Sequence, residues 1–155
     1  MMAWLANGGR RVVPRLAEGG GAAARPPGRP ISQRALDVVR RGLWHTVNCG
    51  TPGNRGTAYS AFHEGGAELP VTIAGKTGTA DHGIAGREPH AWFCGYAPFE
   101  NPEVAFAVLV EYGGHGGAMA APIAKQILKA RYDGKGDADR KQPLAAAGDS
   151  RQEAR

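Results

Sequence analysis

The sequence predicts a mixed α/β (α+β) fold that combines amphipathic helices with an antiparallel hairpin. Residues 32–48 carry apolar side chains at spacings of three and four, which is typical of a helix with one buried face. Residues 90–98 and 104–110 are β-prone runs, and the turn-forming residues between them predict a hairpin. The chain has 155 residues, of which 42% are hydrophobic, so it has apolar material for one core.

The N-terminal region predicts the end of a helix followed by loosely structured chain. Residues 1–6 read as the last turns of a helix that Asn-Gly-Gly closes, and we expect the protein's true start to lie upstream. Residues 11–16 predict a short strand, which Pro14 would confine to a sheet edge. Residues 19–30 are rich in glycine and proline and predict a connector.

Ser32 is the predicted N-cap of the helix that runs to about Asn48. Its predicted inward side chains are Leu36, Val39, Leu43 and Val47, and its predicted solvent-facing ones are Arg34, Arg40 and Arg41. The glycines and Pro52 in residues 49–68 predict a long surface loop.

Residues 71–80 (Val-Thr-Ile-Ala-Gly-Lys-Thr-Gly-Thr-Ala) predict a strand that carries polar groups where glycine leaves the backbone uncovered. A lysine followed by threonine and glycine at the end of a strand indicates chemistry more than packing. We therefore take Lys76, Thr77, Gly78 and Thr79 as candidate site residues.

The C-terminal third predicts a hairpin, a glycine loop and a closing helix. Residues 104–110 are apolar on both faces, which predicts a central strand covered on each side. Residues 113–117 predict a flexible loop that could border a cleft, and residues 118–132 predict a helix with Pro122 in its first turn. The predicted inward residues of this helix are Ile123, Ile127 and Leu128. We expect one domain portion over residues 1–132 and a disordered tail over residues 133–155.

The composition excludes few classes of function, but it disfavours nucleic acid as a partner. The net charge is +5, yet the arginines are dispersed and lack the interleaved aromatics that bind single strands by stacking. Cys49 and Cys94 fit no zinc or redox spacing and leave the redox compartment undecided. The sequence carries no recognisable export signal or long apolar run.

Five segments, taken in chain order, resemble the C-terminal part of class B penicillin-binding proteins of the elongation type, which are often called penicillin-binding protein 2. They are residues 6–9 (Ala-Asn-Gly-Gly), 56–58 (Gly-Thr-Ala), 74–80 (Ala-Gly-Lys-Thr-Gly-Thr-Ala), 92–98 (Trp-Phe-Cys-Gly-Tyr-Ala-Pro) and 121–124 (Ala-Pro-Ile-Ala). The order of several motifs, more than Lys-Thr-Gly alone, makes the resemblance specific. It covers roughly residues 1–132 and implies part of a transpeptidase fold, an antiparallel sheet flanked by helices.

The resemblance implies a D,D-transpeptidase that cross-links peptidoglycan stem peptides and is acylated by β-lactams. Lys76 would keep a positive charge beside the serine of a Ser-x-Asn motif. Thr77 would bind the terminal carboxylate of the substrate or of a β-lactam, and the backbone of Thr79 would supply an oxyanion-hole amide. Gly78 would let the substrate approach the strand. No cofactor is implied.

The nucleophile motif of the family is absent from this sequence. The serines are Ser32, Ser60 and Ser150, and none is followed by lysine three residues on or by asparagine two residues on. We expect both motifs to lie upstream, in a missing N-terminal part of the same domain that acts as a partner of this chain. The resemblance also implies the periplasmic face of the inner membrane for the full-length protein, and a cell-wall elongation complex as a further partner.

Other interpretations of the same residues are weaker. A phosphate-binding Gly-x-x-x-x-Gly-Lys-Thr loop would need glycine at Pro70. A metal site built from His82, His90 and His115 with Asp81 or Cys94 lacks ligand-like spacing. A serine β-lactamase or D,D-carboxypeptidase would also carry Lys-Thr-Gly, and an inactive remnant or interaction fragment remains an alternative to an enzyme.

Overall fold

The computed structural model describes residues 1–10, 31–64, 66 and 68–133. The predicted strand at 11–16, the connector at 19–30 and the predicted tail lie outside the described residues, apart from Asp133. The elements in chain order are α1 (Met2–Ala6), α2 (Gln33–Asn48), α3 (Tyr59–His63), β1 (Ala74–Ala80), β2 (His90–Ala97), β3 (Val104–Val110) and α4 (Ala120–Tyr132). The α/β (α+β) prediction is confirmed.

The three strands form one antiparallel sheet in the order β1-β2-β3. Lys76 lies opposite Cys94 and Thr77 lies opposite Phe93, while β2 and β3 form the predicted hairpin. The prediction that β3 is the central covered strand is wrong, because β2 occupies the centre among the described residues. Along β3, half-buried and exposed residues alternate, so its second apolar face lies open.

The helix α2 has its predicted N-cap, but the set of side chains that it buries differs from the predicted set. The Ser32 hydroxyl accepts a hydrogen bond from the Ala35 backbone N–H, as an N-cap should. Leu36, Leu43 and Val47 are buried, but Val39 is 42% exposed, contrary to prediction. Arg40 lies against the core in its place, because two aromatic rings and two hydrogen-bond acceptors receive its guanidinium.

Each face of the sheet packs against helices. One face carries Phe93, with α3 and α4 packed on it, and the other carries Tyr96, with α1 and α2 on it. Phe93 and Tyr96 are both fully buried, and they belong to separate apolar clusters. β1 therefore stands at an edge, held between α2 and β2, with its C-terminal half uncovered.

Two helix predictions need correction. The predicted loop at 49–68 contains α3, because Ala58 and Phe62 stand four residues apart and both enter the core. In α4, Leu128 is buried as predicted, but Ile123 and Ile127 are 37% and 55% exposed. The helix packs instead through Ala120, Ala121, Ala124 and Tyr132. Small side chains on this stripe allow the helix axis to approach the sheet closely.

Candidate functional site

The four predicted site residues line one cleft of about 560 Å³ at the exposed end of β1. The opposite wall comes from two other stretches of chain. The residues lining the cleft are Thr57, Ser60, Lys76, Thr77, Gly78, Thr79, His115, Gly116, Gly117 and Ala118. The glycine loop therefore borders the cleft, as the sequence allowed.

Side chains of β1 alternate between the two faces of the sheet. Lys76 is exposed, and its ammonium donates a hydrogen bond of 2.6 Å to the backbone oxygen of Thr77. Thr77 is half-buried on the opposite face, where its hydroxyl lies 2.7 Å from the hydroxyl of Thr57. The cleft thus presents a cation, a hydroxyl and the backbone of the edge strand to an incoming ligand.

Gly78 lies close to a neighbouring side chain and leaves the strand backbone open to the cleft. A Cβ at this position would lie 3.1 Å from the Cβ of Trp92, its partner on β2. Such a contact is tighter than side chains normally make, so a larger residue would require Trp92 to shift by a few tenths of an ångström.

The turn at residues 113–117 closes the cleft through backbone contacts. A Cβ on Gly116 would lie 2.2 Å from the Trp92 oxygen and 2.4 Å from the Gly78 oxygen. A Cβ on Gly117 would lie 2.2 Å from the Thr57 oxygen. Two glycines in this turn therefore let three separate segments of chain meet. The sequence predicted a loop at these glycines, but the neighbouring residues in sequence did not indicate which backbone segments the loop contacts.

Cys94 lies beside Lys76 on the face of the sheet that packs on α1 and α2, and its thiol is 4.0 Å from the Lys76 backbone oxygen. Burial raises the pKa of this thiol, and the Lys76 ammonium lowers it by a smaller amount. Both cysteines are free thiols.

Replacing Lys76 with methionine should slow alkylation of Cys94 by iodoacetamide roughly twofold at pH 8. Loss of the ammonium raises the thiol pKa further, so less thiolate is present at a pH below that pKa. The rate is measured by mass spectrometry in a Cys49→Ser background. Lys129→Met is the matched control. An unchanged rate in Lys76→Met would contradict the electrostatic contact.

The histidines that the sequence suggested for a metal do not meet at one site. His82 and His90 pack with their rings 4.8 Å apart, both against Tyr112, whereas His115 lines the cleft. Within the described part of the chain, no group of three or more His, Cys, Asp or Glu side chains is arranged to hold a metal ion.

Across residues 1–10, 31–64, 66 and 68–133, no helix has the length and apolarity needed to cross a membrane.

A second pocket, of about 270 Å³, lies at the other end of β1. It is lined by the end of α2, by α3 and by residues 68–73. It lacks the lysine and the open strand backbone of the first cleft, so we place the candidate site at the first.

Comparison with known proteins agrees with this geometry. Residues 1–129 match the family described as the penicillin binding protein transpeptidase domain. Peptidoglycan D,D-transpeptidase PbpA of Mycolicibacterium smegmatis is 38% identical over 135 residues, which is 83% of this chain and 27% of the relative.

Two solved structures are similar over 84% of this chain. Pseudomonas aeruginosa PBP2 in complex with WCK 5153 gives a TM-score of 0.65 at 35% identity, over 28% of its own chain. PBP2 of Helicobacter pylori in complex with MreC gives a TM-score of 0.68 at 25% identity, over 23% of its own chain. The chain spans about a quarter of the length of these relatives.

An antiparallel sheet whose edge strand presents Lys-Thr-Gly to a cleft defines the penicillin-recognising class of enzyme domains. The chain belongs to the penicillin binding protein transpeptidase family. Its similarity to PbpA and PBP2 proteins confirms the resemblance to class B, elongation-type members that the motifs indicated. The match is to part of a transpeptidase domain, as the missing serine motifs led us to expect.

Proposed function

We propose that this chain supplies one half of a D,D-transpeptidase active site and that a preceding segment of the same domain supplies the serine nucleophile. The observation that carries the proposal is the cleft at the end of β1, where Lys76, Thr77, Gly78 and Thr79 share one opening. Stem peptides ending in D-alanine are the proposed substrates, and β-lactams are the proposed inhibitors.

Each site residue has a distinct proposed role. The exposed Lys76 provides positive charge near the missing serine motifs, and the Thr77 hydroxyl donates to the terminal carboxylate of the ligand. The Thr79 backbone N–H stabilises the oxyanion that forms when the serine attacks the peptide carbonyl. The bond to the terminal D-alanine then breaks, the amine leaves with a proton, and an acyl-enzyme remains for transfer.

The part of the Tyr96 face that α1 and α2 leave exposed supports the existence of a covering segment. Trp92 and Leu109 are 37% and 44% exposed on this face, and Met1 beside it is 85% exposed. Trp92 and Leu109 lie side by side on paired strands, and neighbouring exposed apolar side chains of this kind mark a place where other protein packs. We propose that the preceding part of the domain covers it.

For the whole protein we propose a location at the periplasmic face of the inner membrane. We also propose a partner in a cell-wall elongation complex, by analogy with the H. pylori PBP2–MreC complex.

The test compares the chain alone with the product of the longer reading frame. We first sequence the gene upstream of Met1 for an in-frame Ser-x-x-Lys followed by Ser-x-Asn. The 155-residue chain should stay unmodified by penicillin in intact-mass measurements, because it carries no suitable serine. The longer protein should gain one penicilloyl group.

In the longer protein, Lys76→Ala should slow acylation about 10²-fold or more, because the cleft loses the positive charge that β1 contributes. Lys129→Ala, on α4, is the matched control and should leave the rate unchanged. An adduct on the 155-residue chain would contradict the division of the site. An in-frame stop upstream would support the inactive remnant instead.

A further inference from the structure

Thr57, which belongs to the Gly-Thr-Ala segment at 56–58 but has no role assigned so far, makes a polar side-chain contact with the proposed ligand-binding threonine. The hydroxyls of Thr57 and Thr77 lie 2.7 Å apart, although the two residues are 20 positions apart in sequence. Both are on the wall of the same cleft. A separation of 2.7 Å is the usual length of a hydroxyl–hydroxyl hydrogen bond.

Backbone contacts on two sides hold Thr57 in place. The Gly56 N–H donates to the Cys49 oxygen, and the Ala58 N–H donates to the Thr46 oxygen, so the neighbours of Thr57 are fixed to the end of α2. From the other side, Gly117 approaches so closely that a Cβ there would lie 2.2 Å from the Thr57 oxygen. A side chain whose backbone is fixed in this way is suited to orienting another group.

The chemistry of the ligand fixes the direction of the hydrogen bond. A hydroxyl has one proton to donate, and an ionised carboxylate can only accept. When Thr77 donates its proton to a carboxylate in the cleft, its oxygen can still accept a hydrogen bond. Thr57 must then be the donor in the pair.

The geometry points to Thr57 as a positioning residue that donates to Thr77 and so directs the Thr77 proton at the terminal carboxylate of the ligand. This role rests on the proposed function, because it requires a carboxylate-bearing ligand. Thr57 itself need not touch the ligand.

The experiment measures peptide binding to the 155-residue chain through the NMR amide shifts of residues 77–79. The probe is a short peptide ending in D-alanyl-D-alanine, and the comparison probe is the same peptide with its terminal carboxylate converted to an amide. Thr57→Val removes the hydroxyl and keeps the shape, and Thr57→Ser keeps the hydroxyl. Thr46→Val is the matched control, because among the described residues the Thr46 hydroxyl bonds only within α2, to the Gly42 oxygen.

Thr57→Val should weaken binding of the carboxylate peptide about three- to tenfold, the usual range for one lost hydrogen bond, and should leave binding of the amide peptide unchanged. Thr57→Ser and Thr46→Val should bind like the original chain. Equal weakening of both peptides, or no rescue by serine, would overturn the inference in favour of a structural role. Unchanged binding in Thr57→Val would overturn the inference alone. Absence of saturable binding to the original chain would overturn the inference, which requires the cleft of this chain to bind a carboxylate. The proposed function is tested separately, by acylation of the longer protein.

Discussion

Replacing Gly116 with alanine should lower the free energy of unfolding by about 3 kcal/mol, because the new methyl group would overlap backbone atoms. A Cβ at this position would lie 2.2 Å from the Trp92 oxygen, 2.4 Å from the Gly78 oxygen and 2.9 Å from the Gly78 nitrogen. Backbone atoms in a paired sheet cannot rotate away as a flexible side chain can. The strand that carries Lys76 would therefore have to move with the turn.

Urea denaturation followed by circular dichroism checks the effect, with NMR shifts of residues 77–79 reporting displacement of β1. Gly42→Ala is the matched control, since nothing lies within 4 Å of a Cβ at this exposed position of α2. It should stabilise the chain by about 0.5–1 kcal/mol, because alanine loses less conformational entropy in a helix than glycine does. A Gly116→Ala chain as stable as the original would contradict the close backbone packing.

Replacing Arg40 with methionine should cost about 2–3 kcal/mol of stability. The Arg40 Nε donates a hydrogen bond of 3.2 Å to the Tyr96 hydroxyl, and its Nη2 donates one of 3.0 Å to the Phe99 backbone oxygen. Its guanidinium also lies 5.8 Å from the centre of the Tyr96 ring and 5.5 Å from the centre of the Phe99 ring. Methionine keeps the apolar stem but leaves the buried Tyr96 hydroxyl without this partner.

The measurement is again urea denaturation, now as a double-mutant cycle with Tyr96→Phe. Once Tyr96 has lost its hydroxyl, Arg40→Met should cost clearly less, because no buried donor or acceptor is stranded at residue 96. Arg41→Met, at the exposed neighbouring position, should change stability by less than about 0.5 kcal/mol. Equal effects of the Arg40 and Arg41 substitutions would mean that the aromatic contacts add nothing.

Features set by neighbouring residues could be predicted from the sequence. The three strands, the Ser32 cap and the position of Lys76, Thr77, Gly78 and Thr79 on one strand all depend on short patterns, and the structure places those four residues in one cleft. The predicted start of β1 was three residues early, since the strand begins at Ala74. The roles assigned to the four residues stay predictions.

Features set by distant residues could not be predicted. Arg40 has a charge that favours solvent, but its partners lie 56 and 59 residues away and replace that solvent with aromatic rings. The apolar pattern of β3 indicates burial without showing which strand lies in the centre. Thr57 bonds across 20 residues, and glycine alone does not reveal the backbone that requires it.

The arrangement of the cleft walls also bears on how the chain acquires its site during synthesis. The walls come from residues 57–60, 76–79 and 115–118, so they meet only through contacts between well-separated parts of the chain. A ribosome releases the strand with Lys76 before the glycine turn that closes on it, and contacts of long sequence separation form slowly. The cleft can thus be completed only after nearly all of the described chain has emerged. A nascent chain stalled before Gly116 would present the lysine strand with one wall missing.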